Sequence, residues 1–456
     1  MKIFLIEVIF CLFFLCCSPN LFVREQYISY IEKQDTILTE ERIELFISRI
    51  KKYHPYSFDS LGGRNTSVLI ENICQTIPAK DLNDAELIFH ARKLMDYITQ
   101  EDPHFRIVPV FRKFPELKYK TASIMVPPFR GLCINASLLV NSSYDEKLKR
   151  GDLIKSINDI PVKEYLRYYY RDRYVDVGNL VWYMNYQIYP EYKIDFIRNN
   201  EEKSVTINGM RYPNYLVKEG RFCEGKIMPD YSLGYFKIRE FENNGYILKK
   251  FRKLTEKMNQ SGYSDLIIDL RENPGGSGND LNLFLSFFSD KDSLHYLEDA
   301  KARVSKITKD YGFDESQYGQ VLSLPSENVF HSFALDSSLF VPNLKVYVLI
   351  SRSTGSIAAS FANICQYNEI ATLVGEPLAY NALKYGEVAS GEFLDNPFAF
   401  STVQYDEYTK AKDGIVRPDI PIPYIAREYM KGGDPVLEKL LEYLKNKNTE
   451  VLTSNE

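Results

Sequence analysis

The sequence predicts an α/β protein built on parallel strands, and three observations carry that expectation. Between residues 215 and 445, β-branched apolar runs (SLGYFKIREF, DLIIDLR, KVYVLIS, IATLVGE) alternate with segments of helical period (NNGYILKKFRKLTEKMNQ, DLNLFLSFF, SIAASFANICQY). Such alternation is what parallel strands joined by right-handed helical crossovers require. Two of the strands break into small-residue turns before helical period resumes, at LIIDLRENPGGSG (266–278) and VYVLISRSTGSIAASFANICQ (346–366). Upstream of residue 215 the pattern is different and shorter, so the 456-residue chain is expected to hold more than one domain.

The elements follow in order. Lys2 precedes IFLIEVIFCLFFLCC, an apolar run of secretory-signal length, too short and too interrupted by Glu7 for a transmembrane helix. Cys16 and Cys17 close it, followed by Ser18 and Pro19. Residues 1–20 therefore read as a lipoprotein signal, with Cys17 or Cys16 acylated and the product exported to the periplasm or cell envelope. Residues 25–115 read as a small helical domain. Ile43, Phe46, Ile47 and Ile50 share one helical face, and Leu87, His90, Ala91, Leu94 and Ile98 another. Residues 119–212 turn to short strands. There, LKRGDLIKSINDIPVKEYL gives an alternating strand through Leu153, Ile154 and Ile157, a turn at Asn158-Asp159 and a helix from Val162. This segment resembles the central hairpin and helix of a PDZ domain. The tyrosine-rich stretch that follows, with the single Trp182, reads as packing between domains.

Composition excludes several classes. Charged residues at 26% and hydrophobic residues at 45% are ordinary for a globular protein, and a net charge of −5 with scattered Lys and Arg leaves no nucleic-acid footprint. Of seven cysteines, four lie beyond the leader (Cys74, Cys133, Cys223, Cys365) with no C-x-x-C spacing, so neither a zinc ribbon nor a disulfide framework is expected. Cys365 falls on the apolar side of its predicted helix. The five histidines form no H-E-x-x-H pair. No metal and no organic cofactor is expected.

The two turns carry the chemistry. Asn273-Pro274-Gly275-Gly276-Ser277-Gly278 follows a buried strand and offers backbone N–H groups at Gly275 and Gly276. It lacks the Lys-Ser/Thr of a phosphate loop and the G-x-G-x-x-G dinucleotide spacing. Gly355-Ser356 puts one hydroxyl at the start of a helix, at the N-cap or in the first turn. A serine there is in the first instance a helix cap, worth ~1 kcal/mol. A nucleophile beside paired amide donors at a helix N-terminus is the combination a serine hydrolase needs.

DLRENPGG, STGS-x-A-A, LVGEP, YGEV and RPDIPI together resemble the carboxy-terminal processing (tail-specific) and tricorn-type serine proteases, over about residues 40–440, with KKYHPY at 51–56 fitting the bacterial exported branch. The resemblance implies a ClpP/crotonase-like catalytic core over 215–445, with Ser356 as nucleophile and oxyanion donors from Gly275 or Gly276 and Ile357. It also implies a polypeptide substrate. Family members with a Ser–Lys dyad carry lysine where this chain has Asn381; Lys384 lies three residues on. The tricorn-like branch uses a histidine from an Asp-x-His motif, which here is Asp102-Pro103-His104, so His104 is the expected general base. The supporting glutamate of that branch aligns with Arg417, leaving Asp102 and Asp419 as weaker candidates to orient His104. The rival class is a non-catalytic binding protein, for a peptide or an apolar ligand, that retains the protease fold.

Overall fold

The structure is a computed structural model that describes residues 48, 50–55, 104, 106–107, 125–166, 174–176, 189–211, 223–241, 245–279, 281–379, 382–393 and 396–453. The predicted signal, Cys16 and Cys17, most of the expected helical domain, Asp102, Trp182 and Asn381 lie outside the described residues. Two compact units divide the chain. The larger comprises Lys113–Asp292, Leu335–Ala379 and Lys410–Glu456; the smaller comprises Met1–Arg112, Ser293–Ala334 and Tyr380–Thr409.

The larger unit is built on a six-stranded sheet in sequence order: β1 (Cys223–Met228), β2 (Leu233–Ile238), β3 (Asp265–Asp269), β4 (Lys345–Ile350), β5 (Thr372–Gly375) and β6 (Ile420–Pro421). β1 and β2 form an antiparallel pair; every later neighbour is parallel. All of β3 and all of β4 beyond Lys345 are buried, as the near-continuous apolar runs of a covered parallel sheet require. Crossovers carry α1 (Tyr246–Ser261), α2 (Leu281–Leu285) and α3 (Ile357–Tyr367). Their phenylalanines interlock: Phe251 meets Phe284 at 4.8 Å between centroids and Phe287 at 5.0 Å, and Phe284 meets Phe361 at 5.4 Å. Phe241, just after β2, joins the same cluster at 5.9 Å from Phe361. Such aromatic contacts add to the area they bury, and they fix the helix that follows Ser356 against the backbone at Phe241. Cys365 is fully buried on α3, as its position on the apolar side predicts.

A second sheet in the same unit spans residues 129–208, with Phe129–Ile134, Ser137–Ser143, Leu153–Ile157, Glu191–Arg198 and Glu201–Asn208 paired antiparallel and Tyr174–Asp176 on the edge. The expected turn at Asn158-Asp159 has both residues at positive φ (52° and 64°), the geometry of a two-residue hairpin that matches strand twist. The helix Val162–Leu166 then buries Val162, Tyr165 and Leu166 against Phe129, Ile157 and Ile194. Leu132, Ile134 and Leu139 of this sheet share a core with Leu233, Ile267, Leu349 and the final helix α4 (Pro435–Thr453), so the two sheets are packed through one apolar layer.

The smaller unit takes in part of the 215–445 span expected as the catalytic core. Residues 293–334 and 380–409 leave that core and join the N-terminal stretch. Asn396–Glu407 pairs antiparallel with Tyr385–Phe393, Leu297–Arg303 and Arg106–Ile107. In sequence, YGEVASGEF shows neither sustained apolar alternation nor turn-bounded β-branched character. Its pairing is set by tertiary partners rather than local propensity.

One buried ion cluster ties the end of β3 to the start of α4. Arg271, 4% exposed, donates to both oxygens of Asp269 (2.9 and 2.6 Å) and both of Asp434 (2.8 Å each), and Tyr235 donates to Asp269 at 2.7 Å. Burial raises the Asp269 carboxyl, but the Arg271 guanidinium outweighs it and holds the group well below the usual carboxylate range. Removing Asp434 leaves the Asp269–Arg271 pair matched but strips two charged hydrogen bonds from a buried guanidinium. Asp434→Ala is therefore expected to cost about 2 kcal/mol of stability, read from the denaturant midpoint of the full chain.

Candidate active site

The larger unit brings the two Gly/Ser turns together at the carboxyl ends of β3 and β4. Four bonds stitch them, and a fifth closes the second turn on itself. Leu270 N–H reaches the Leu349 carbonyl at 2.9 Å, and Thr354 Oγ1 donates to the Leu270 carbonyl at 2.8 Å. Ser351 Oγ donates to the Arg271 carbonyl at 2.6 Å, and Gly355 N–H to the Asn273 carbonyl at 3.0 Å. Thr354 N–H returns to the Ser351 carbonyl at 3.0 Å. Ser351, Thr354 and Gly355 thus satisfy the strand-end carbonyls that leaving the sheet would otherwise orphan.

Ser356 occupies the N-cap position of α3, but it does not cap. Its side chain makes no cap hydrogen bond, and its backbone sits at φ 49°, ψ −132°. A non-glycine residue in that region stores about 1–3 kcal/mol of strain, characteristic of a nucleophile held on a sharp strand-to-helix turn. The capping explanation of this serine is thereby removed. Its carbonyl accepts from Ala359 and Ser360 N–H (2.8 and 3.0 Å), so the helix begins immediately after it.

The two glycines have different roles. Gly275 has φ 127°, and a Cβ there would lie 2.6 Å from Ser356 Cβ and 3.2 Å from its Oγ; the position must be side-chain-free for the serine to sit where it does. Its N–H is engaged by Asn273 Oδ1 at 2.8 Å. Phe241 N–H donates to the Gly275 carbonyl and Ser277 N–H to the Phe241 carbonyl, both at 2.8 Å, so Gly276 lies flush on Phe241 and a Cβ would collide with that carbonyl. Among the described residues, neither Gly276 N–H nor Ile357 N–H donates a hydrogen bond.

His104, Lys384 and Ser401 belong to the smaller unit. His104 is 6% exposed, with Nδ1 3.2 Å from Ser401 Oγ. A carboxylate that the sequence reading did not single out, Glu387, interacts electrostatically with His104. Burial raises the Glu387 carboxyl above its ordinary value, against the lowering effects of a Tyr405 hydroxyl bond at 3.1 Å and of His104. Glu387 also has φ 50°, in the left-handed region that favours glycine, and its carbonyl accepts from Thr402 Oγ1. Its signal lay in the YGEV motif, whose glutamate has no role that local pattern reveals. Lys384 places its ammonium 5.6 Å from the Tyr385 ring centroid. Asp419 is used structurally: its oxygens accept from Leu373 N–H (2.7 Å) and Gln366 Nε2 (2.8 Å), joining β5 to α3. Arg417 pairs with Asp413 at 2.7 Å on the surface. Among the described residues, no group of three His, Cys, Asp or Glu is arranged to hold a metal, and no helix is long and apolar enough to cross a membrane.

Comparison with known proteins places this arrangement in a class. The chain carries a peptidase family S41 domain over residues 232–415, which takes in both turns, His295 to Phe340 and the YGEV strand. Mature CPAF complexed with lactacystin is similar in structure at 13% identity over 91% of this chain and 99% of that one, with a TM-score of 0.61. Mature CPAF alone matches at 13% identity over 89% and 96%, with a TM-score of 0.59. The photosystem II D1 C-terminal processing protease matches at 14% identity over 87% and 98%, with a TM-score of 0.46. At these identities the CPAF likeness concerns the fold.

Two measurements follow from the geometry. Gly275→Ala is expected to abolish any reaction of Ser356 with a fluorophosphonate while the far-ultraviolet circular dichroism spectrum is kept, since the new methyl strains the turn and crowds Ser356 and the Gly355 carbonyl but not the strands. Glu272, one residue before Asn273, is pushed up by burial but held at about 2, from an ordinary 4.5, by Lys237 and Arg130. Its stabilising contribution is complete above pH 4.5 and lost as the pH falls towards 2. Denaturant midpoints measured against pH should therefore fall more steeply on the acid side for wild type than for Glu272→Gln.

Proposed function

We propose that this protein is a serine endopeptidase acting on unfolded or C-terminally exposed polypeptides, with Ser356 as nucleophile. The observation that carries this reading is the strained, uncapped Ser356 between two N–H groups, of Gly276 and Ile357, that make no hydrogen bond within the described structure. Backbone strain costs stability, and a merely structural serine would be rid of it.

In this reading Ser356 Oγ attacks the scissile carbonyl as His104 removes its proton. In the tautomer that carries its proton on Nδ1, 3.2 Å from Ser401 Oγ, the Nε2 lone pair is the accepting site. The carbonyl oxygen becomes an oxyanion received by Gly276 N–H and Ile357 N–H, at the N-terminus of α3, where the helix field also favours negative charge. Each such donor contributes ~3 kcal/mol to the transition state. The imidazolium then passes its proton to the departing amine as the C–N bond breaks, and a water repeats the sequence on the acyl-enzyme. Glu387 supplies the negative charge near His104 that stabilises the imidazolium. Gly275 serves by being absent of side chain, and Lys384, Asp102 and Asp419 have no part in proton transfer.

The antiparallel sheet of residues 129–208, read as PDZ-like, would engage a substrate C-terminus by strand addition. The N-terminal signal would export the protein and anchor it through Cys17 or Cys16.

A fluorophosphonate probe tests the nucleophile. Labelling of wild type that vanishes in Ser356→Ala supports the peptidase, and absence of labelling in an intact, folded chain favours a binding protein instead. His104→Ala is expected to lower kcat by about a hundredfold or more, as loss of a general base does. Lys384→Ala should leave it near the wild-type value; the reverse pattern would move the base assignment to the lysine.

A further inference from the structure

Each catalytic turn is tied to the antiparallel sheet by a bond of its own. On the first turn, both oxygens of Glu272 are occupied: Oε1 accepts from Lys237 Nζ (2.6 Å) and Asn141 Nδ2 (3.2 Å), and Oε2 from Arg130 Nη1 (3.3 Å). Arg130 and Asn141 belong to the strands Phe129–Ile134 and Ser137–Ser143; Lys237 belongs to β2. On the second turn, Ser353 Oγ accepts from the N–H of Tyr174, in the edge strand of the same sheet, at 2.9 Å.

Lys237 alone, at 2.6 Å, neutralises Glu272. The bonds from Arg130 and Asn141 are therefore surplus to charge balance, and what they add is direction: a carboxylate gripped at both oxygens has no rotamer freedom left. Glu272 is followed by Asn273, whose side chain holds Gly275 N–H and whose carbonyl holds Gly355 N–H. Ser353 N–H in turn meets Ser351 Oγ, which donates to the Arg271 carbonyl. The two anchors thus converge from opposite turns on the same three residues, 271–273.

We infer that Glu272 and Ser353 are positioning residues through which the antiparallel sheet sets the spacing between Gly276 N–H and Ile357 N–H. The inference rests on Ser356 being the nucleophile, but its structural half does not. Loosening the anchors shifts the donors and the serine between them without removing any of these groups, so the loss falls on kcat.

The test uses the full chain with the pair Arg130→Met and Asn141→Leu, and separately Ser353→Ala, with Arg130→Lys as the conservative control. Hydrogen exchange is followed across 272–277 and 353–358, together with peptide hydrolysis. Both disrupted forms are expected to exchange faster in both turns while strands β3 and β4 keep their protection. Their kcat should fall about tenfold, as small misplacements of donors do, with KM within about twofold of wild type. Arg130→Lys should restore most of kcat. Unchanged exchange in the turns overturns the inference, as does acceleration spread evenly over the chain, which marks general destabilisation. If wild type neither hydrolyses peptide nor takes the fluorophosphonate, the nucleophile reading fails. The exchange experiment then decides the positioning role by itself, turn-specific acceleration supporting it and unchanged exchange rejecting it.

Discussion

The site depends on one arrangement of backbone hydrogen bonds: the carbonyls of residues 270, 271 and 273 accept from the hydroxyls of Thr354 and Ser351 and from the N–H of Gly355. Two parallel neighbours end side by side, and their chains must leave the sheet in a confined space. Polar backbone groups there have no strand partner, and burial makes an unpaired one cost about as much as a lost hydrogen bond. The second turn resolves this with short hydroxyl side chains that reach the first turn's carbonyls. In doing so it fixes the separation of the turns to that of two hydrogen-bonded peptides. Everything proposed for Ser356 is a consequence of that fixed separation.

Packing reinforces it from the other side. Phe241 grips the Gly275-Gly276 peptide through its own N–H and carbonyl, while its ring is wedged between Phe284 and Phe361. Phe361 lies on the helix that Ser356 precedes. The aromatic cluster therefore connects the donor turn and the nucleophile helix through rigid, close-packed contacts, and a void in it is felt at both. Electrostatics divides along the same line. Asp269 and Glu272, below the turns, are held ionised by buried Arg and Lys, whereas among the described residues a hydroxyl and an imidazole offset the burial of Glu387.

Much of the larger unit was legible in sequence because its strands are buried on both faces and so read as unbroken apolar runs, and because the turns between 273–278 and 353–356 need residue types that stand out. The hairpin at Asn158-Asp159 was legible for the same reason: its left-handed backbone selects asparagine and aspartate. The division of 215–445 into two units was not, since Leu297–Arg303 and Tyr385–Phe393 interleave charged residues and glycines and gain their pairing from partners far away in the chain. Glu272 and Glu387 were hidden differently. Each acts through neighbours that the fold supplies, and the sequence around it records neither Arg130 and Asn141 nor His104. Gly275 was expected as an oxyanion donor, yet its N–H is held by Asn273 Oδ1, and sequence alone left space and donation indistinguishable as reasons for a glycine.

The smaller unit draws on three separate stretches of chain, and His104 finds Ser401 across 297 residues. Contacts of such separation form late, because loop closure must precede any reward from them, and during synthesis the distal partner does not yet exist. A nascent or truncated chain can complete the parallel sheet through β4 and set Ser356 on its turn long before the histidine is seated. The order of synthesis is thus also an order of completion: the turn that carries Ser356 comes first, and the surroundings of His104 are finished only after Ser401 has emerged.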